Sequence, residues 1–76
     1  MKRLILIAIF DDKKNVVRFR SAPDSKIALQ ILTNAREQGF LTVAGTITYE
    51  NSYDRARAQL KYRLKQKLLE KMRAKI

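Results

Sequence analysis

The first fifty residues alternate between strand and helix patterns. Residues 2–10 are apolar at nearly every position, which is typical of a strand in the centre of a sheet, where both faces are buried. After a polar turn over residues 11–15, residue 16 is apolar and residues 17–20 alternate between apolar and basic side chains. Two strands joined by a short polar turn predict a β-hairpin.

A helix pattern follows the hairpin. Ser21 and Asp24 have the spacing of a capping box, and Pro23 between them is tolerated in the first turn of a helix. The next residues carry an apolar stripe at helical spacing, and Gly39 is expected to end the helix. The stripe consists of Ile27, Ala28, Ile31, Leu32 and Ala35.

A third strand and a second helix complete the chain. Residues 41–49 alternate between apolar and small polar side chains, which predicts a strand with one buried face, and Gly45 within it predicts a bulge. Asn51 or Ser52 is a suitable cap for a helix that no Gly or Pro interrupts before the C-terminus. The element order is therefore β-β-α-β-α.

This order predicts an α+β fold with a three-stranded antiparallel sheet in the order 2-1-3. The first strand is placed in the middle because it is apolar on both faces. A chain of 76 residues builds one hydrophobic core, so we expect a single domain over residues 1–76. Residues 1–50 would form the sheet with one packed helix, and residues 51–76 a long basic C-terminal helix.

The apolar residues of the last helix recur at every fourth position, so their direction turns by about 40° at each step. Because the stripe turns around the helix, it does not face one flat surface along its whole length. A helix of about 24 residues is also about 36 Å long, more than the width expected for a globule of this size. We therefore expect its first half to pack on the domain and its second half to face a partner.

The composition excludes several kinds of chemistry. The chain has no Cys and no His, which removes disulfides, thiol nucleophiles, Ser-His-Asp triads and zinc sites of the usual kind. Its seven acidic residues do not form a recognisable magnesium-nuclease pattern. We predict a protein that is not an enzyme and has no cofactor or metal. The N-terminal apolar run lacks a cleavage site and is too short to span a bilayer, so a cytoplasmic location is expected.

The charge is concentrated in the last helix. The formal net charge is +10, of which residues 1–53 contribute +3 and residues 54–76 contribute +7. Such an excess exceeds what solubility requires and predicts phosphate-backbone contacts with DNA or RNA, without a base-reading motif. The candidate nucleic-acid-binding residues of the helix are Arg55, Arg57, Lys61, Arg63, Lys65, Lys67, Lys71, Arg73 and Lys75.

A second candidate surface is the sheet face that carries Arg18 and Arg20 together with three threonines, Thr42, Thr46 and Thr48. Cations and hydroxyls on a sheet can contact phosphates and 2′-hydroxyls. Phe19 and Tyr49 point toward the predicted core, so this face has no aromatic platform. Apolar residues of the first strand share it, and we expect either the last helix or a second subunit to cover it. A homodimer is therefore a further hypothesis.

Two other classes of function are also compatible with a strongly basic helix. Basic amphipathic helices bind anionic membranes, but this helix has no Trp or Phe and no concentrated apolar face, so we expect no membrane contact. The second alternative is a small inhibitor or adaptor of the kind that phages encode. Such a protein would dock on a nucleic-acid-handling protein complex, as anti-CRISPR and anti-restriction proteins do. The β-β-α-β pattern with a long terminal helix is generic and does not decide between these functions.

Overall fold

A three-stranded antiparallel sheet lies between two helices, one on each face. The computed structural model describes residues 1–74. The elements are β1 (Lys2–Asp11), β2 (Val16–Ala22), α1 (Ser25–Glu37), β3 (Leu41–Tyr49) and α2 (Tyr53–Ala74). The strand order is β2-β1-β3, and both outer strands run antiparallel to β1. The predicted α+β fold, with its element order and its sheet order 2-1-3, is confirmed.

The two faces of β1 form two separate cores, because alternate residues of a strand point to opposite faces. Leu4, Leu6 and Ala8 are buried beneath α2. Ile5, Ile7 and Ile9 are buried beneath α1. The apolar character of β1 on both faces therefore reflects one helix on each side of the sheet.

The prediction that only the first half of the last helix packs on the domain is wrong. Ala56, Leu60, Leu64 and Leu68 of α2 are all buried, and Met72 packs against the same core. From Ala56 to Leu68 the stripe turns by about 120° in total, which is close to the width of an ordinary buried helix face. Ten residues of β1 and twenty-two of α2 are each about 33 Å long, so the strand matches the helix in length.

The structure also corrects the prediction that the last helix or a second subunit covers the sheet face that carries Arg18 and Arg20. Arg20 lies opposite Ile7 and Arg18 opposite Ile9 in the β1–β2 register, so both arginines share a face with the isoleucines that α1 covers. Thr42, Thr46 and Thr48 lie on this face as well. α1 therefore covers this face, rather than the last helix or a second subunit.

Phe19 and Tyr49 lie on the opposite face and pack against the core under α2, as predicted. A second subunit is thus not needed to cover the apolar rows of β1. The homodimer stays a prediction.

The start of α1 differs from the prediction, because Ser21 is not part of its cap. Ser21 belongs to β2, where it pairs with Leu6, and the helix cap is Asp24, whose side chain accepts a hydrogen bond of 2.9 Å from the backbone N–H of Ile27. The strand continues to Ala22 because Ala22 is buried in the α1 core, and the residue before a proline favours extended backbone.

Gly39 terminates the helix as predicted, since α1 ends at Glu37 and Gly39 directly follows its C-cap, Gln38. Gly39 has a φ of 84°, in the left-handed region that glycine adopts without a Cβ clash. Its N–H donates to the carbonyl oxygen of Arg36 at 2.9 Å, and the N–H of Phe40 donates to that of Ala35 at 3.0 Å. These two bonds form a Schellman motif, which satisfies carbonyls at the end of α1.

Gly45 does not form the predicted bulge, because the β1–β3 register continues through it without interruption. The glycine is explained by the close approach of α2. A Cβ at this position would lie 3.0 Å from Leu64 Cδ2 and 3.1 Å from Leu60 Cδ1, and both leucines are fully buried. The absence of a side chain allows α2 to pack close to β3.

We expect Gly45→Val to lower the free energy of unfolding by about 2–3 kcal/mol, because overpacking forces buried neighbours to move. Ala44→Val is the matched control, since Ala44 is exposed on the opposite face of the same strand, and we expect a change below about 0.5 kcal/mol. Urea denaturation measures both. Equal stabilities of the two variants would contradict the packing explanation.

Candidate nucleic-acid interface

The four-residue repeat of α2 divides its side chains into four rows, each about 100° from the next. One row is buried and consists of Ala56, Leu60, Leu64, Leu68 and Met72. The two rows beside it carry all the Lys and Arg residues of Tyr53–Ala74. The fourth row lies opposite the buried one and is called the crest; it consists of Asp54, Ala58, Tyr62, Gln66, Glu70 and Ala74.

The first flank is the β2-side row, which contains Arg57, Lys61, Lys65, Leu69 and Arg73. Two of its lysines contact the ring of Phe19 in β2, which shows that this row lies on the side of β2. Lys61 Nζ lies 5.1 Å from the centroid of Phe19, and Lys65 Nζ lies 6.0 Å from it. These are cation–π distances, and they hold both ammonium groups beside β2.

Arg18 and Arg20 precede and follow Phe19 in β2, and their side chains lie on the opposite face of the sheet from the two lysines. Both arginines are exposed. β2 is an outer strand, so cations flank its edge from both faces. We call Arg18, Arg20, Lys61 and Lys65 the basic edge.

One acidic residue lies next to the basic edge. Asp11 Oδ2 is 3.9 Å from Arg18 Nη2, at the outer limit of an ion pair. The Oδ1 of Asp11 accepts backbone hydrogen bonds from Lys13 at 3.1 Å and Lys14 at 3.3 Å. Asp11 therefore closes the hairpin turn, and its contact with the exposed Arg18 is a weak surface pair.

The second flank is the β3-side row, which contains Arg55, Gln59, Arg63, Lys67 and Lys71. Lys71 Nζ donates a hydrogen bond of 2.9 Å to the backbone carbonyl of Thr42 in β3. Lys67 and Lys71 line a groove there together with Arg36 and Glu70. Lys71 thus has a structural contact at the edge of β3, and the acidic Glu70 lies beside this flank.

The crest carries no cation, so the positive charge of α2 lies on its flanks and not around the whole helix. Tyr62 on the crest has 66% of its surface exposed. Arg55, Arg63, Lys65, Lys67, Lys71 and Arg73 are exposed, whereas Arg57 and Lys61 are half-buried. Lys75 lies outside the described residues.

A third feature was missed by sequence reasoning. A groove of about 270 Å³ separates α1 from β2 and contains Arg18 and Arg20. Its α1 wall is formed by Gln30, Asn34 and Gln38, which recur at four-residue spacing. That spacing is visible in the sequence, but only the structure shows that these residues and the two arginines line one groove.

No helix within residues 1–74 is long and apolar enough to cross a membrane. No protein-family model, no curated protein and no solved structure matches this chain.

Proposed function

We propose that this protein is a non-enzymatic nucleic-acid-binding module of the cytoplasm that contacts the phosphate backbone. The observation that carries the proposal is the basic edge, where Lys61 and Lys65 of α2 and Arg18 and Arg20 of β2 flank one strand. These cations come from distant parts of the chain. The two lysines lie over the half-buried ring of Phe19, and the two arginines lie on the opposite face of the same strand. The basic edge continues along α2 through Arg57, which precedes Lys61 in the β2-side row.

The spacing of this row suits a polyanion. Four residues of α-helix rise about 6 Å, so Arg57, Lys61 and Lys65 present a cation about every 6 Å along the helix axis. A phosphate backbone laid along the row meets these charges in succession and releases its condensed counterions. Because the contacts are to phosphate, we expect little dependence on base sequence from this row.

Affinity should therefore fall steeply with salt. For the unmodified protein we expect a plot of log K against log [salt] with a slope of about −4 to −7, as several phosphate contacts require. Fluorescence anisotropy with labelled single-stranded and duplex DNA and RNA between about 50 and 300 mM salt covers the range in which such contacts weaken. A flat salt response, or no binding at the lowest salt, would contradict the proposal.

One observation favours the alternative of a small inhibitor or adaptor. Tyr62 and Leu69 are seven residues apart on the outer side of α2, and they are 66% and 45% exposed. Exposed apolar side chains next to basic ones are common in protein interfaces. A pull-down from the native host after nuclease treatment distinguishes the two functions. A stoichiometric protein partner that survives nuclease and is lost from Tyr62→Ala/Leu69→Ala would favour the adaptor.

A further inference from the structure

The groove between α1 and β2 combines three kinds of surface in a small volume. Its volume is about 270 Å³, near the lower limit for small-molecule sites. Arg18 and Arg20 line one side together with Asp11, whose Oδ2 lies 3.9 Å from Arg18 Nη2, and a row of amides lines the other. The remaining lining is apolar and consists of Ile9, Ile31, Ala35 and Phe40.

The amide row is available to a ligand. Gln30, Asn34 and Gln38 are exposed, and none of the side-chain hydrogen bonds among residues 1–74 involves their amide groups. Each amide provides both a donor and an acceptor. Gln30 and Asn34 of α1 and Gln38 at its C-cap therefore form a polar wall that can hydrogen-bond to the donors and acceptors of a ligand.

This combination matches the chemistry of a nucleotide. A nucleobase has apolar ring faces and a polar edge of donors and acceptors, and Asn and Gln are side chains that pair with such edges. Phe40 is a half-buried aromatic residue of the groove and gives the base a surface to stack on, as in proteins that bind single strands. The two arginines suit the phosphate, which they can bind in bidentate fashion.

We propose that this groove holds one unpaired nucleotide of a nucleic-acid strand, with its phosphate at Arg18 and Arg20 and its base edge at the amide row. This inference rests on the proposed function. Arg18 and Arg20 belong both to the basic edge and to the groove, so a strand bound along α2 reaches the groove by crossing the edge of β2. The bases of a duplex are paired and stacked inside the helix, so the groove favours single strands over duplexes.

Gln30→Ala/Asn34→Ala tests the amide wall without changing the charge. Alanine is the best helix former, so α1 is expected to keep its fold. For a labelled single-stranded oligonucleotide of mixed sequence, we expect affinity to fall about tenfold, as lost hydrogen bonds to a base would give. The affinity for the matching duplex and the slope against log [salt] should not change.

Gln59→Ala/Gln66→Ala is the matched control, because both residues are exposed amides on α2, away from the groove. We expect this variant to bind like the unmodified protein. An equal loss in both double variants, or an equal loss for single strand and duplex, would overturn the assignment. If Gln30→Ala/Asn34→Ala leaves single-strand affinity unchanged while salt dependence persists, the groove proposal fails and the proposed function stands.

A second measurement tests the groove even if no polymer binds. In ¹⁵N–¹H correlation spectra, the side-chain amides of Gln30, Asn34 and Gln38 are observed directly. Titration with nucleoside monophosphates should shift these signals and leave those of Gln59 and Gln66 unchanged; an absence of shifts in the groove would overturn the proposal. An oligonucleotide that binds at least about tenfold more tightly than a mononucleotide supports a strand, whereas equal affinities would assign the groove to a free nucleotide.

Discussion

Replacing Arg57, Lys61 and Lys65 by glutamine is expected to weaken nucleic-acid binding about 100-fold at 0.1 M salt. Each phosphate contact that is lost removes about one unit from the slope of log K against log [salt], so the slope should become shallower by about 3. Arg57 and Lys61 are half-buried, and glutamine keeps part of their aliphatic packing. Anisotropy titrations at four or more salt concentrations measure the affinity and the slope together.

The matched control replaces Arg3, Lys26 and Arg36 by glutamine. All three residues are exposed and belong to β1 and α1, outside the β2-side row and the basic edge, so the variant loses the same net charge away from the proposed site. We expect its affinity to fall by less than about fivefold, because only the long-range field changes. Similar losses in the two variants would mean that net charge rather than the basic edge determines binding.

The β3-side row gives a second comparison. Arg63→Gln/Lys67→Gln leaves Lys71 and its hydrogen bond to Thr42 intact. If nucleic acid follows the β2-side row, this variant should lose less affinity than a double variant of Lys61 and Lys65. The reverse order would place the strand on the other flank, away from Arg18 and Arg20.

Periodicity was sufficient to predict the elements and their order in the sheet. β1 is apolar at even and odd positions alike, which requires two covered faces and hence a central position. The same pattern does not say which helix covers which face. That assignment follows from the cross-strand register, which places Arg18 opposite Ile9 and Arg20 opposite Ile7, and from the packing of α2 on Gly45.

The candidate site was predictable as a set of residues but not as an arrangement. The cations of the last helix were named from charge alone, and α2 contains eight of the nine within its described length. Their division into two flanks depends on which row is buried, since the apolar and basic rows share a four-residue repeat. The contact of Lys61 and Lys65 with Phe19 joins residues more than forty positions apart in sequence. Local sequence patterns cannot predict a contact between residues so far apart.

Leu64→Ala is expected to lower the free energy of unfolding by about 3–5 kcal/mol, the range for removing a fully buried leucine. Leu64 has 0% of its surface exposed and lies against Gly45, which has no side chain to move into the space. A domain of this size has a total stability on the order of 4–11 kcal/mol. The variant should therefore lose a large part of the stability of the domain, seen as a lower Tm and a lower urea midpoint in denaturation followed by circular dichroism.

Leu69→Ala provides the matched control, because Leu69 belongs to the same helix and is 45% exposed. We expect a change below about 1 kcal/mol, since exposed positions contribute little. Such a difference would mean that α2 is part of the core and cannot act as a detachable arm, because its removal would expose Leu4, Leu6 and Ala8 to water. Binding must then occur on the flanks of a docked helix. Equal, small effects of the two substitutions would instead support an arm that detaches from the sheet to bind.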